Sequence, residues 1–534
     1  MPDSSSTLLQ ALQNPALYGH PVERFEILET HISWVLLTGP YAYKIKKPVD
    51  LGFVDFRELE RRQYFCMEEV RLNRRLAPEL YLGVVTITGT PDSPQLGGEG
   101  PPIEYAVKMK QFPQEMLLTR VLARGHLTPA HIDALAAQIA DFHQRIAVAD
   151  VASPFGAPDV IIKPVRENFQ QLPIVIREWF GADRLERLRT WTEEEHARLI
   201  EVFQRRKAEG CIRECHGDLH LGNMALIEKT ITIFDCIEFS EALRWIDVMS
   251  EMAFTVMDLH HRGCPAYGRR LLNGYLEWTG DYWGVRVFRY YQTYRAIVRA
   301  KVAGIRWEQT EAQHADRLVL REELLSYLTL AERLVKEGSC AVIILHGLSG
   351  SGKTSLAQEL LEATGAIRVR SDIERKRLFG VKPHERTDKA QESVVYSEET
   401  TQAVYGRLEE CARHVLAAGY PVIVDATFLR RVQRERFQRL AAEWGVPFRI
   451  VHVWARDRIL QERVARRIEE ARDASEADLR VLERQLMMDE PFTEEERSSV
   501  VSVNTEVPCD LHLLLGKLMG HLPSTSFRGG GLNR

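Results

Sequence analysis

His216-Gly217-Asp218-Leu219-His220-Leu221-Gly222-Asn223 puts a carboxylate, two imidazoles and an amide into one short stretch, and Ile233-Phe234-Asp235 follows it. An aspartate on a loop can accept a proton from an attacking hydroxyl. An asparagine five residues later and an aspartate after a short strand can supply oxygen ligands to magnesium, which prefers hard oxygen. A second constellation, Gly347-Leu348-Ser349-Gly350-Ser351-Gly352-Lys353-Thr354, fits G-x-x-x-x-G-K-[ST] and lies between the apolar run Ala341 to Leu345 and a helical pattern. Its glycines let backbone N–H groups curl round a β-phosphate, and the helix N-terminus adds a favourable dipole. Lys353 can reach β- and γ-oxygens, and the Thr354 hydroxyl suits magnesium.

Further residues could complete either constellation. Asp425, closing Val422 to Val424, suits a second magnesium-site carboxylate, bound directly or through water. Asp372 follows the strand-like Ile367 to Arg370 and opens a helix. An N-cap role fits it, and so does a substrate-hydroxyl role supported by Arg375 and Lys376. Arg463, Arg466 and Arg467 share a helical face; they read either as lid arginines that neutralise phosphate or as a solvated face. Cys211, Cys215, His216 and His220 mimic a metal cluster, but structural zinc ligands usually come on separated knuckles. Tyr290, Tyr291, Tyr294, Arg295, Arg299 and Lys301 read as a buried aromatic stripe with snorkelling basic side chains, or as the lining of an anionic pocket. His260 and His261 read as surface or helix-end residues.

Several elements must position these groups. Residues 1–25 read as an N-terminal extension. His31 to Leu37 and Tyr41 to Lys46 alternate around Thr38-Gly39-Pro40, a hairpin pattern. Residues 57–76 carry helical spacing closed by Pro78. Tyr81 to Thr88 and Tyr105 to Lys110 read as strands separated by a Gly- and Pro-rich loop, which completes a small α+β lobe ending near 113. A mostly helical stretch runs to 337, interrupted near 211–240. After a boundary near 338, strands at Ala341 to Leu345, Ile367 to Val369, Pro421 to Val424 and Phe448 to Trp454 alternate with helices, the signature of a parallel sheet. This second region runs to 522, and the tail 523–534 is expected to be disordered.

The whole chain of 534 residues is long enough for several domains, with 45% apolar and 27% charged residues. Lysine and arginine total 70 against 75 acids, a net charge of -5, which argues against a generic polyanion binder. No apolar run approaches the roughly 18–20 residues of a membrane span. The first basic residue is Arg24, so the charged start of a secretory signal is missing. The eight cysteines lack a scaffold-like rhythm and fit free thiols in a reducing cytoplasm.

Residues 340–520 resemble the small P-loop kinases related to gluconate kinase, zeta toxins and polynucleotide kinase. The likeness rests on the glycine loop, Ser371-Asp372-Ile373-Glu374-Arg375-Lys376, Val424-Asp425 and the arginine-bearing segment. It implies ATP held by Gly347, Gly350, Ser351, Gly352, Lys353 and Thr354, with Arg463 and Arg467 on the phosphates. Magnesium would sit at Thr354 and Asp425, and Asp372 would position or deprotonate the accepting hydroxyl. Residues 30–335 resemble the aminoglycoside phosphotransferase and choline kinase-like fold, a relative of protein kinases. That resemblance makes Asp218 the base and gives magnesium to Asn223 and Asp235, while Asp247 braces the loop. It pairs Lys44 with ATP phosphates and with Glu69 or Glu68. Lys46 shares the strand face of Lys44, so the choice between them stays open. Met109 to Phe112 would be the hinge that cradles adenine.

Two features depart from protein kinases: only Gly39 precedes the lysine strand, and Asp235 is followed by Cys236-Ile237-Glu238. Both favour the small-molecule branch. The chain as a whole resembles bacterial fusions of these two domains. The implied fold is an α+β bilobal protein-kinase-like domain followed by an α/β P-loop NTPase domain with a parallel sheet. The implied function is ATP- and magnesium-dependent transfer of the γ-phosphoryl group to small-molecule hydroxyls at two sites, with no membrane or obligate protein partner evident. The alternatives are a C-terminal polynucleotide 5′-hydroxyl kinase, disfavoured by the near-neutral charge, and a nucleotide-gated regulatory protein.

Overall fold

The computed structural model describes residues 4–50, 52, 54–311, 314–336, 338–383, 385, 397–470 and 478–519. Two compact units account for the chain: Met1–Glu167 with Phe203–Asp258, and Asn168–Val202 with Leu259–Arg534. The tail 523–534 lies outside the described residues.

The first unit is built on β1 (Glu26–Glu29), β2 (Ser33–Leu37), β3 (Tyr41–Lys46), β4 (Tyr81–Thr90), β5 (Ser93–Leu96) and β6 (Pro102–Lys110). These strands form one antiparallel sheet in the order β1-β2-β3-β6-β4-β5. The expected hairpin is β2–β3. The segment 89–102 expected to be a loop instead turns at residues 91–92 and returns as β5, pairing Thr90 with Ser93. Pro94 is tolerated there because β5 is an edge strand, where a missing N–H costs no ladder bond.

Strand alternation sorts β3 into two faces. Tyr41, Tyr43 and Ile45 pack with Leu36, Ile87 and Ala106 under Leu8, Leu12 and Tyr18. The N-terminal segment, with its helix Ser4–Ala11, therefore covers one side of the sheet. Lys44 and Lys46 fall on the other side, toward the helix Leu59–Asn73, whose Cys66 and Val70 pack against Tyr81, Tyr105 and Val107. Beyond the sheet come the helix Pro129–Arg145, β7 (Ile212–Glu214), the hairpin β8 (Met224–Ile227) with β9 (Thr230–Ile233), and β10 (Trp245–Asp247) paired with β7.

In the second unit, β11 (Val342–His346), β12 (Ile367–Arg370), β13 (Val422–Asp425), β14 (Phe448–Trp454) and β15 (Val500–Asn504) form an all-parallel sheet in the order β12-β13-β11-β14-β15. β11 and β13 are buried along their whole length, as the continuous apolar runs require. β15 adds an edge strand that the short Val500 to Asn504 pattern had not signalled. The chain leaves central β11 for β12 on one side and later supplies β14 on the other, so the strand ends open a crevice at that switch point. This is the parallel P-loop arrangement implied by resemblance. The helices Pro265–Thr279, Val285–Gln309 and Asp316–Leu334 belong to the same unit. Tyr290, Tyr291 and Tyr294 are buried in it, as the aromatic-stripe reading expects.

Candidate functional site

In the first unit, β3 and the helix Leu59–Asn73 bring two lysines onto one carboxylate. Lys44 Nζ lies 2.8 Å from Glu69 Oε1, and Lys46 Nζ lies 2.7 Å from Glu69 Oε2. The lysines diverge beyond that shared partner. Lys44 Nζ donates to Asp235 Oδ1 at 2.6 Å, whereas Lys46 donates to Glu238. Burial alone would raise the Glu69 carboxyl, but the two ammonium groups outweigh it and hold Glu69 at about 2. Burial would lower the Lys44 ammonium, yet Asp235 and Glu69 keep it well above its ordinary range. Glu68 turns away to Arg71 and Arg244, so of the two glutamates it is Glu69 that meets Lys44. Lys46 is 1% exposed and sits among carboxylates, while the Asp235 side chain beside Lys44 is 47% exposed. The lysine with a partner open to solvent is therefore Lys44.

The Asp218 loop is tightly braced. Asn223 Nδ2 donates to Asp218 Oδ2 at 2.9 Å and to its carbonyl at 3.0 Å, and His220 Nε2 lies 3.4 Å from Asp218 Oδ2. His216 is fully buried: its Nε2 donates to the Phe234 carbonyl at 2.8 Å, and its Nδ1 accepts from the Asp218 N–H at 3.3 Å. Burial lowers its pKa, so it stays neutral and structural. Gly217 has φ +89°, and a Cβ there would meet the Leu243 carbonyl at 2.8 Å. Asp235 holds a left-handed φ of +62°, with its N–H donating to the Tyr81 hydroxyl at 3.1 Å. Strain of that kind persists where the surroundings over-determine a residue.

One support was not anticipated. In the helix Val248–His261, Glu251, Thr255 and Asp258 recur at helical spacing in an apolar sequence. Glu251 Oε1 accepts the Gly217 N–H at 2.7 Å, Thr255 donates to the Leu219 carbonyl at 2.7 Å, and Asp258 Oδ2 accepts the Leu221 N–H at 3.0 Å. The helix thus grips alternate residues of the loop. His143 donates to Glu251 at 2.8 Å from behind. Burial would raise the Glu251 carboxyl, but these bonds leave it lowered. Asp247, expected to brace the loop, instead takes a bidentate pair from Arg206 at 2.6 and 2.7 Å and accepts the Met249 N–H at 2.8 Å. It fixes β10 and the start of the helix. Phe112, in the expected hinge, packs edge-on to Phe234 at 5.3 Å.

In the second unit, the glycine loop leaves β11 and enters the helix Lys353–Thr364. Gly347 cannot carry a side chain, because its Cβ would lie 2.2 Å from the Val453 carbonyl oxygen. At Gly350 the corresponding contact is the Leu460 carbonyl at 2.8 Å, and Gly352 begins the helix at φ +93°. Lys353 Nζ bends back onto the Gly347 and Leu348 carbonyls at 2.9 and 2.8 Å. Ser351 is buried, and its carbonyl accepts from Thr505 Oγ1 at 2.7 Å. Thr354 Oγ1 donates to Asp425 Oδ2 at 2.9 Å. Burial raises Asp425, and Arg370, Arg368 and Lys353 pull against that rise.

A cavity of about 800 Å³ joins Lys353, Thr354 and Asp425 to Asp372, Arg375 and Arg466. Asp372 lies in the first turn of the helix Ser371–Leu378, but the N-cap position belongs to Arg370. Lys376 is buried and donates to the Glu385 carbonyl at 2.7 Å, so it supports a loop rather than accompanying Arg375. Arg463 also lines the cavity and donates to the Gly350 carbonyl at 3.3 Å and to Thr505 Oγ1 at 2.8 Å. Arg467 is in the helix Asp457–Glu470, but its side chain lies outside the described residues. His260, read as a surface or helix-end residue, lies in the last turn of the helix Val248–His261 with its ring enclosed, and burial beside Arg269 and Arg333 lowers it to about 3. His261 stacks on Tyr327 at 3.6 Å.

The donors fit magnesium: Asn223 and Asp235 offer only oxygen ligands in one unit, as do Thr354 and Asp425 in the other. The Cys211, Cys215, His216 and His220 alternative is not assembled, because His216 is committed to Phe234 and Asp218. None of the eight cysteines is in a disulfide. Among the described residues, no helix is long and apolar enough to cross a membrane.

Comparison with known proteins adds the following. Residues 66–289 match the model of a phosphotransferase enzyme family, and residues 342–491 that of an AAA domain. An uncharacterized protein of Mycobacterium tuberculosis is 31% identical over 427 residues, covering 79% of this chain and 83% of its own length. A Mycobacterium bovis protein matches equally. Among solved structures, a gluconokinase from Sinorhizobium meliloti aligns at 23% identity over 34% of this chain and 90% of its own, with a TM-score of 0.22. An ethanolamine kinase from Plasmodium vivax aligns at 11% identity over 58% and 81%, with a TM-score of 0.34.

Proposed function

Since the chain belongs to the family of these mycobacterial proteins and joins two kinase-like, phosphotransferase-type regions, we propose that it is a bifunctional ATP-dependent kinase with two active sites. Each site transfers the γ-phosphoryl group to a hydroxyl of a small molecule. The observation that carries this reading is that each region keeps a lysine close to an intact oxygen-donor pair. Lys44 is 2.6 Å from Asp235, near the Asp218–Asn223 loop, and Lys353 heads the helix whose Thr354 is 2.9 Å from Asp425.

At the first site, Asp218 orients the acceptor hydroxyl and takes its proton, Lys44 holds ATP phosphates, and Glu69 holds Lys44. Asn223 and Asp235 would hold magnesium. At the second, Gly347, Gly350, Ser351 and Gly352 shape the backbone cradle, Lys353 meets the phosphates, and Thr354 and Asp425 would hold magnesium. Magnesium, when bound, would supply positive charge to neutralise phosphate oxygens. Asp372 positions the second acceptor, with Arg375, Arg463 and Arg466 supplying positive charge; Arg467 joins them by its place on the helix of Arg463 and Arg466. Catalysis is then mostly positioning and charge neutralisation. Thiols outside disulfides fit a cytoplasmic enzyme.

The test incubates a metabolite extract with ATP and the full chain, and follows phosphorylated products by mass spectrometry. Asp218→Ala should remove one set of products and Lys353→Ala another. Loss of both sets in Lys353→Ala alone would refute two sites, and no phosphorylated product at all would favour a nucleotide-gated binding protein.

A further inference from the structure

The helix Pro265–Thr279 lies within the segment that matches the phosphotransferase family, yet it reaches into the P-loop sheet of its own unit. Arg269, Asn273 and Glu277 recur every four residues along one helical face. Arg269 Nη1 donates to the Glu362 and Ala363 carbonyls at 2.7 Å each, at the end of the helix that follows the glycine loop. Asn273 Oδ1 accepts the Arg368 N–H at 2.7 Å. Glu277 Oε1 accepts from Arg368 Nε at 3.0 Å and Nη2 at 2.6 Å, and its Oε2 accepts from Arg370 Nη1 at 3.4 Å.

The two arginines alternate onto one face of β12 and lead directly to the loop. Arg368 Nη1 donates to the Thr354 carbonyl at 3.3 Å. Arg370 stands opposite Asp425 in strand register, with its Nε 3.8 Å from Asp425 Oδ2, the same oxygen that accepts from Thr354. Glu277, Arg368, Arg370 and Asp425 are all buried, at 6%, 5%, 7% and 5% exposure. Within this row two positive charges face two negative ones. Arg370 is shared between the carboxylates at either end, so the pull of Glu277 limits the hold of Arg370 on Asp425.

We propose that Glu277 is a positioning residue of the P-loop site: by holding Arg368 and Arg370 it keeps Asp425 with Thr354 and available to a divalent cation. The proposal rests on the reading that this loop binds ATP with magnesium at Thr354 and Asp425. Without the Glu277 charge the row is one unit more positive beside Asp425, Arg370 closes on Asp425, and a cation is repelled from its own ligand. The segment that matches the phosphotransferase family thus contributes a carboxylate on which the chemistry of the following P-loop segment depends.

The test is calorimetric ATP binding to the full-length chain, with and without magnesium, taking the component that Lys353→Ala removes. Glu277→Gln should weaken the magnesium-dependent component about tenfold and leave metal-free ATP binding within about twofold. The double variant E277Q/R370Q restores charge balance and should recover most of the loss. Equal weakening with and without magnesium would mean a packing role and overturn the proposal, as would unchanged binding or a double variant no better than the single. If Glu277→Gln does not fold, E277Q/R370Q carries the test: magnesium-dependent binding there supports the proposal, and its absence or a second folding failure overturns it. If Lys353→Ala removes no ATP binding from the wild-type chain, the underlying P-loop reading falls first and the proposal with it.

Discussion

Replacing Lys46 with methionine should separate the two lysines of β3. Lys46 is 1% exposed and contacts Glu69 and Glu238, which are also buried. Removing one partner of a buried ion pair costs roughly 3–5 kcal/mol, because the charge left behind is desolvated and uncompensated. In a unit of about 220 residues this is a melting shift of roughly 6–20 °C. Amide exchange in β3 and the helix Leu59–Asn73 should accelerate by about a hundredfold or more. Lys44→Met should cost far less stability, since Asp235 is half-exposed and Glu69 keeps Lys46, yet it should lower first-site kcat by about a hundredfold or more. Acidity supplies a further check. Burial raises Glu238 above its ordinary 4.5, against the pull of Lys46. A raised carboxyl favours the fold below 4.5, and that contribution is lost as pH climbs through the raised value. Removing Lys46 raises Glu238 further, so the variant should approach wild-type stability in acid and fall behind as pH increases. Thermal melts and localised hydrogen exchange across pH measure this. A stable but inactive Lys46→Met beside an active Lys44→Met would refute the reasoning and reverse the assignment.

Glu251→Ala should release Gly217 and the loop that carries Asp218, lowering first-site kcat by roughly 10–100-fold with little change in KM for ATP; steady-state kinetics would show it. Because Glu251 is held below 4.5, the stability it contributes is present above 4.5 and lost as pH falls through the lowered value, so the variant's deficit should shrink in acid. Gly347→Ala brings a methyl to 2.2 Å from the Val453 carbonyl oxygen at a φ of +148° and should abolish ATP binding at the P-loop site, while destabilising the unit by roughly 1–3 kcal/mol. Calorimetry and melting curves test both effects.

The glycine loop could be read ahead of the fold because its residues act through backbone shape, and that requirement is local. The run His216 to Asn223 is local too, through side chains five residues apart, with Asn223 Nδ2 reaching Asp218 Oδ2 at 2.9 Å. The difference between Lys44 and Lys46 was not legible: both project from the same face of β3, and only their distant partners, Asp235 and Glu238, distinguish them. Glu251, Thr255 and Asp258 left a visible trace as polar residues spaced along an apolar helix, but their targets lie 34 to 37 residues away in sequence. Glu277 left none, since a lone glutamate near a helix end looks solvated until β12 supplies its arginines. β5 was hidden by Pro94 and its glycine-rich surroundings, which suit an edge strand as well as a loop.

The interleaving of the two units bears on how the protein is made. Residues 168–202 emerge from the ribosome before the first unit has received its closing segment 203–258, and well before their own partners exist. Trp179 later packs edge-on to Trp307 at 4.8 Å, His196 meets Tyr290, and Arg184 must wait 148 residues for Glu332. At about 5–20 residues per second that delay is roughly 7–30 s, during which a tryptophan-bearing stretch of nascent chain is without its native cover. The first unit can finish while the second is still incomplete. Newly made chains should therefore acquire protease resistance in two steps, with 168–202 protected only in the later one.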